Sequence, residues 1–139
     1  MAILINDDGE ILLTKRSRHK IAAGKWECTA GSVLAGETSR DAIVREVKEE
    51  IGISPIFAEE PVSEYLEDNA IFDIWVGKVN HQIADLLLQE EEVDEAMYAT
   101  LDDVKKIIEE DQGTKSLGEV VRLDNRGLIQ LKKHASAGQ

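Results

Sequence analysis

The chain has 139 residues, 42% of them apolar, enough to bury one sizeable core. Its formal net charge of −12 argues against a protein that tracks a nucleic-acid backbone. No apolar run approaches a bilayer span and no signal-peptide pattern opens the chain, so no membrane partner is expected. Cys28 has no second cysteine to pair with, and a reducing cytoplasm is the simplest compartment. In chain order, Ala2-Ile3-Leu4-Ile5 reads as a strand, Asn6-Asp7-Asp8-Gly9 as a turn and Ile11-Leu12-Leu13-Thr14 as a second strand, together a hairpin. Trp26 to Ala30 is a short extended stretch, with Cys28 read as a small buried hydrophobe.

Residues 31 to 53, GSVLAGETSRDAIVREVKEEIGI, carry the densest information. Thr38, Ser39 or Asp41 can cap a helix that begins after Gly36-Glu37. Ala42, Ile43, Val44, Val47 and Ile51 form one apolar stripe. Glu46, Glu49 and Glu50 share a face, expected beside that stripe and not within it. Arg45 and Glu49 stand at i, i+4, and Gly52 sits where a left-handed C-cap belongs. Three carboxylates this close are costly unless a positive charge sits among them, and a hard divalent cation such as Mg²⁺ takes oxygen ligands.

Further along, Ile71 to Val79 alternates and is β-branched, which predicts a strand. Ala96 to Thr100 predicts another, followed by a helix over Leu101 to Glu110 with Thr100 as N-cap. Residues 114 to 133 carry a weaker helical pattern, and a disordered tail is expected over 134–139, leaving one domain over 1–133. Charge is uneven: residues 11–30 carry a net +4 and residues 56–112 a net −14. The basic cluster, Lys15, Arg16, Arg18, Lys20 and Lys25, directly precedes the acidic segment. Such a patch can hold a phosphate-bearing small molecule. Arg16 closes a strand and is the first candidate for substrate, with Lys25 second; Lys20 and Lys25 read equally well as solvated loop charges.

The segment from Gly31 resembles the Nudix box, G-x5-E-x7-R-E-U-x-E-E-x-G-U with U aliphatic. All its positions are filled, by Gly31, Glu37, Arg45, Glu46, Val47, Glu49, Glu50, Gly52 and Ile53. Seven fixed identities at one start have a chance frequency on the order of 10⁻⁷ at average composition. A solvated Glu/Lys/Arg helix face explains the helix but not Gly31, Glu37 and Gly52 at their offsets. Leu12 to Arg16, Trp26 before the box and Glu90-Glu91-Glu92 before Tyr98 extend the resemblance over roughly residues 2 to 110. One departure is Thr29-Ala30-Gly31, where many members carry Pro-Gly-Gly.

The resemblance implies an α/β fold, a mixed β-sheet in an α/β/α sandwich with the box as loop-helix-loop. It implies a MutT-like pyrophosphohydrolase that uses Mg²⁺, or Mn²⁺, to cleave a phosphoanhydride of a nucleoside diphosphate linked to another group. Carried over by position, Glu46 and Glu50 are the main metal ligands, Glu49 is a further ligand or the base, and the Ala30 carbonyl is a backbone ligand. Arg45 organises the carboxylates through an ion pair, with Glu37 as partner. Gly31, Glu37 and Gly52 are the structural positions of the box. Glu92 is the expected distal acid, with Glu91 the runner-up. The partner is a small nucleotide-type substrate, and a homodimer stays open. Nucleotide-sugars, dinucleotides and nucleoside triphosphates all remain candidates; Pro61 and Tyr65 stand too near the box for the usual ADP-ribose or dinucleoside-polyphosphate marks. Two other classes remain: an isopentenyl diphosphate isomerase-like enzyme, whose catalytic Cys falls where this chain has Gly31, and a catalytically silent nucleotide sensor, which would show a damaged box.

Overall fold

The structure, a computed structural model, describes residues 1–134. Seven strands and three helices follow in the order β1 (Ala2–Ile5), β2 (Ile11–Arg16), β3 (Trp26–Glu27), α1 (Ser39–Ile51), β4 (Ile56–Phe57), β5 (Ser63–Glu67), β6 (Ala70–Lys78), β7 (Val93–Ala99), α2 (Leu101–Glu109) and α3 (Leu117–Asn125). The sheet is mixed. β1 runs parallel to β6, with Ala2 opposite Trp75, and antiparallel to β2, with Ile5 opposite Ile11. β2 pairs antiparallel with β7 along its length and with β3 at Thr14 and Lys15. β5 and β6 form a hairpin in which Tyr65 faces Phe72.

Alternation along the central strands divides the core in two. Ile3, Ile11 and Leu13 join Leu101, Val104, Leu117 and Leu123 of α2 and α3. Ala2, Leu4 and Leu12 join Ile43, Val47 and Ile51 of α1. Both faces of the sheet are covered, which is why β1 and β2 read as near-continuous apolar runs. The expected α/β/α layering is present, and no helix among the described residues is long and apolar enough to cross a membrane.

Several boundaries move. The strand read over 71–79 begins at Ala70, and the one read over 96–100 starts earlier, at Val93. β4 and β5 carry no alternation strong enough to announce them, and both form by pairing on β6. The helical pattern over 114–133 yields a helix only over Leu117–Asn125, because Gly127 takes a positive φ and the chain turns back to pack Ile129 and Leu131 into the core. Within α1, Val44 is 36% exposed and so lies outside the buried stripe. Of the expected tail, His134 forms a bend and pairs with Asp102, while residues 135–139 lie outside the described residues.

Candidate active site

Thr38 is the residue that caps α1, accepting a hydrogen bond from the Asp41 N–H at 3.1 Å. Gly52 ends the helix at φ 76°, its N–H on the Lys48 carbonyl at 3.0 Å. The helix is fixed to the sheet by Trp75, whose indole N–H donates to Ser39 Oγ at 3.0 Å. These contacts set the azimuth of α1, and with it the direction of every box carboxylate.

Arg45 is the hub of that face. Its Nε and Nη2 donate to the two Glu37 oxygens at 2.7 and 3.1 Å, a bidentate fork. Nη1 reaches Glu46 and Glu49, each at 3.1 Å, and Nη2 also donates to the Ser32 carbonyl at 3.1 Å. Glu37 takes the Leu34 N–H as well, and these donors hold its carboxyl below the ordinary range. One guanidinium therefore joins the loop before α1 to two carboxylates on the helix. Gly31 is needed for the same reason: a Cβ there would overlap the Glu46 carboxylate. Ala30, where many relatives of the motif carry glycine, is not among the positive-φ residues, so the departure introduces no strain.

Glu50 corrects an expectation. It lies within the buried face of α1, beside Ile51 and Val47, at 7% exposure. The segment after β6 closes over it: Leu87 N–H donates to the Ile51 carbonyl at 3.1 Å and Gln89 N–H to the Glu50 carbonyl at 2.9 Å. Burial pushes the Glu50 carboxyl up to about 8, with Glu27, Glu46 and Glu92 adding like-charge repulsion and Lys20 opposing them. Burial also raises Glu46, against the pull of Arg45.

Glu92 arrives from the far side. Ser17, fully buried, accepts nothing from solvent: its hydroxyl donates to the Glu91 carbonyl at 2.8 Å and its N–H to the Glu92 carbonyl at 3.1 Å. The β2–β3 loop and the segment before β7 are thus joined. Glu92 then lines a cavity of about 470 Å³ with Glu46, Glu49, Glu50, Gln89, Lys20, Ala30 and Gly31, whereas Glu91 does not line it. Among the described residues, no three acid, His or Cys side chains converge as a ready-made ion cage. Arg45 holds Glu46 and Glu49, and Lys20 holds Glu92. The donor chemistry nonetheless fits one class of ion. All four side chains are carboxylates, the backbone adds carbonyl oxygen, and a buried Glu50 needs a compensating charge; hard divalent cations meet each condition.

A second cavity, of about 620 Å³, opens on the other side of Ala30-Gly31. Arg16 and Lys25 line it, as does Lys20, so both sequence-derived basic candidates meet here. Arg16 is already engaged: Nη1 holds both Glu27 oxygens at 3.0 and 3.2 Å, and Nε donates to the Ile21 carbonyl at 2.8 Å. Lys25 pairs with Asp111. Across the cavity stand Tyr65 and Phe72, stacked with centroids 5.2 Å apart. The loop Gly113-Thr114-Lys115-Ser116 closes another side, tied to β3 by Trp26 N–H on the Gln112 carbonyl at 2.8 Å and Thr114 N–H on the Trp26 carbonyl at 2.9 Å.

Sequence reasoning missed Glu27, the pairing of Tyr65 with Phe72 and this loop; Lys20 it placed in the basic cluster, equally readable as a solvated loop charge. The one sequence signal for Glu27 is its alternation with Trp26 in a stretch read as extended; its place opposite Thr14 is set by the strand pairing.

Comparisons with known proteins bear on the family and the fold. A model of the NUDIX domain matches residues 1–122. An uncharacterized Nudix hydrolase of Listeria monocytogenes is 34% identical over 107 residues, covering 75% of this chain and 63% of the relative. A CTP pyrophosphohydrolase of Escherichia coli is 42% identical over 59 residues, 42% of this chain and 44% of the relative. The crystal structure of a MutT protein from Methanosarcina mazei superposes with TM-score 0.69 at 25% identity, covering 91% of each chain. The match spans only about three fifths of the first Listeria relatives, 63% and 59% of their lengths. With the box complete, its arginine hub formed and the domain matched from Met1 to Arg122, this chain belongs to the Nudix family.

Proposed function

We propose that the chain is a pyrophosphohydrolase that cleaves a phosphoanhydride in a nucleoside diphosphate derivative with the aid of Mg²⁺ or Mn²⁺. The observation that carries this reading is the shared wall. A carboxylate cavity and a basic, aromatic-lined cavity meet at Lys20, Ala30 and Gly31, so one diphosphate can lie across both. A volume of about 620 Å³ is within the range of nucleotide-sized sites.

Glu46, Glu50, Glu49 and the Ala30 carbonyl would hold the cation, which when bound neutralises phosphate oxygens and acidifies a coordinated water. Arg45 fixes Glu46 and Glu49 against Glu37, so the ligands need little reorganisation. Arg16 and Lys25 bind the substrate phosphates, and Tyr65 and Phe72 offer an apolar wall to the nucleoside. Glu49, 58% exposed at the cavity mouth, or Glu92 across from it takes the proton of the attacking water. The new P–O bond forms from that water as the bridging P–O bond breaks, and the leaving phosphate keeps the electron pair. Two relatives' names, CTP pyrophosphohydrolase and 8-oxo-dGTP diphosphatase, support nucleoside triphosphates as the first substrates to try.

The isomerase-like alternative lacks its thiol: Cys28 is 1% exposed in the core, burial raises it to about 12, and it lines neither cavity. The test is a hydrolysis screen over nucleoside triphosphates, dinucleotides, nucleotide-sugars and CoA. Release of a nucleoside monophosphate or of inorganic phosphate products only with Mg²⁺ or Mn²⁺ supports the reading. No turnover of any substrate by a metal-loaded protein overturns it and favours the silent sensor.

A further inference from the structure

Lys20 lines both cavities, and its ammonium pairs with Glu92 inside the carboxylate cavity. Among the described residues that line this cavity it is the one ammonium, facing four carboxylates, Glu46, Glu49, Glu50 and Glu92. The side chain is 25% exposed, so it is neither buried structure nor a free surface charge. The turn that carries it is rigidly placed: Lys20 N–H donates to the Ser17 carbonyl at 3.1 Å, His19 N–H to Ser17 Oγ at 3.1 Å, and Arg18 N–H to Asp94 at 3.1 Å. What remains mobile is the four-carbon stem, whose ammonium can turn about fixed backbone from one cavity to the other.

We propose that Lys20 is an exchangeable counter-ion of the carboxylate cavity, which a divalent cation displaces from Glu92 and which then binds the substrate diphosphate in the neighbouring cavity. The inference rests on the function proposed above. Its physical basis is that a divalent cation added to a cavity that already borders the Arg45 guanidinium repels the ammonium at Glu92, whereas the displaced ammonium finds phosphate oxygens on its other side. Metal entry and phosphate capture would then be coupled: each makes the other more favourable, and by reciprocity the coupling can be measured from either ligand. A lysine suits the task better than an arginine, because a single point charge on a flexible stem can change partners without losing a bidentate fit.

A purely structural lysine, one that merely ties Glu92 in place, predicts that diphosphonate binding is unchanged by its removal. The experiment titrates Mn²⁺ alone, by electron paramagnetic resonance of the free ion, into the parent, Lys20→Met and Lys15→Met. It then titrates methylenediphosphonate into each protein saturated with Mn²⁺. Lys15 pairs with Glu95 and lines neither cavity, so its variant controls for the loss of one unit of charge. Lys20→Met is expected to bind Mn²⁺ alone about tenfold more tightly, since a nearby positive charge has gone, and methylenediphosphonate about tenfold more weakly. Lys15→Met is expected to match the parent on both. Thermal melting of each variant in EDTA separates misfolding from binding, and Lys20→Arg, which keeps the charge, gives a second reading if Lys20→Met unfolds: it should bind Mn²⁺ no more tightly than the parent. Weaker or unchanged Mn²⁺ binding by a folded Lys20→Met, or unchanged diphosphonate binding, overturns the proposal while leaving the hydrolase reading intact. A parent that binds no Mn²⁺ overturns both.

Discussion

Replacing Glu50 with glutamine should stabilise the metal-free protein at neutral and alkaline pH. The carboxyl is 7% exposed, and its folded-state value is raised from 4.5 to about 8, chiefly by burial. A carboxyl raised in the folded state binds its proton more tightly there than in the unfolded chain. Its contribution to stability is therefore full below pH 4.5, falls between 4.5 and 8, and is lost above 8. Each pH unit in that window costs about 1.4 kcal/mol, so the loss by pH 8.5 is about 3 to 5 kcal/mol. Glutamine carries no such penalty and keeps the shape. In EDTA, the parent and Glu50→Gln should unfold alike at pH 4.5, within about 1 kcal/mol, and diverge by about 3 kcal/mol or more at pH 8.5. In a domain of this size that is a Tm difference of roughly 6 to 12 °C. Urea unfolding at five pH values measures it. Glu27 and Glu46 also titrate upward, so the quantity to follow is the difference between the two proteins, which reports Glu50 together with its repulsion from those two groups. Mg²⁺ should reverse the order, raising the parent's Tm and leaving the variant's nearly unchanged. A difference that is flat with pH, or a variant less stable than the parent at pH 8.5, refutes the claim that Glu50 is a strained, charge-hungry ligand.

Other outcomes follow from the same geometry. Arg45→Lys keeps the charge but cannot hold Glu37, Glu46, Glu49 and the Ser32 carbonyl together; kcat/KM on the best substrate should fall about 10- to 100-fold, and full activity would remove Arg45 from its hub role. Gly31→Ala should displace the end of a flexible Glu46 side chain, so Mn²⁺ affinity drops about tenfold while the Tm in EDTA shifts little; a large loss of Tm would show that the loop itself, not Glu46, yields. Arg16→Ala leaves Glu27 half-buried without its partner, so the informative protein is Arg16→Ala with Glu27→Gln. A raised KM or lowered kcat in that pair assigns Arg16 to substrate phosphate, and full kcat/KM in both it and Arg16→Lys makes Arg16 a strand residue serving Glu27.

The part of the site written within one stretch of chain was legible from the sequence. Thr38 and Gly52 bound α1 through hydrogen bonds that span three or four residues, and Glu37 meets Arg45 across eight. The caps depend on helix geometry that near neighbours impose, so spacing narrows the N-cap to Thr38, Ser39 or Asp41 and places the C-cap at Gly52, whereas the Glu37–Arg45 pair was expected from the family resemblance. Burial of Glu50 could not be read the same way. Helical period places it next to the apolar stripe, but whether that edge meets solvent depends on the 86–92 segment, which packs there only because Leu87 and Gln89 find the carbonyls of Ile51 and Glu50. The second cavity is likewise a product of register. Tyr65 meets Phe72 because β5 and β6 pair with that offset, and the 113–116 loop reaches Arg16 and Lys25 because Trp26 bonds to Gln112 and Thr114. Lys20 and Glu92 lie 72 residues apart, and although the sequence offered Glu92 as a distal acid and Lys20 as part of a basic cluster, nothing in it pairs them. They face one another only once β2 and β7 have paired and Ser17 has joined the two loops. Local sequence thus determined the carboxylate-bearing helix and its caps, since short-range hydrogen bonds and periodicity are set by neighbouring residues. Tertiary structure decided which carboxylate is buried, which lysine faces it and which side chains line each cavity, since those depend on strand pairings that no local pattern specifies.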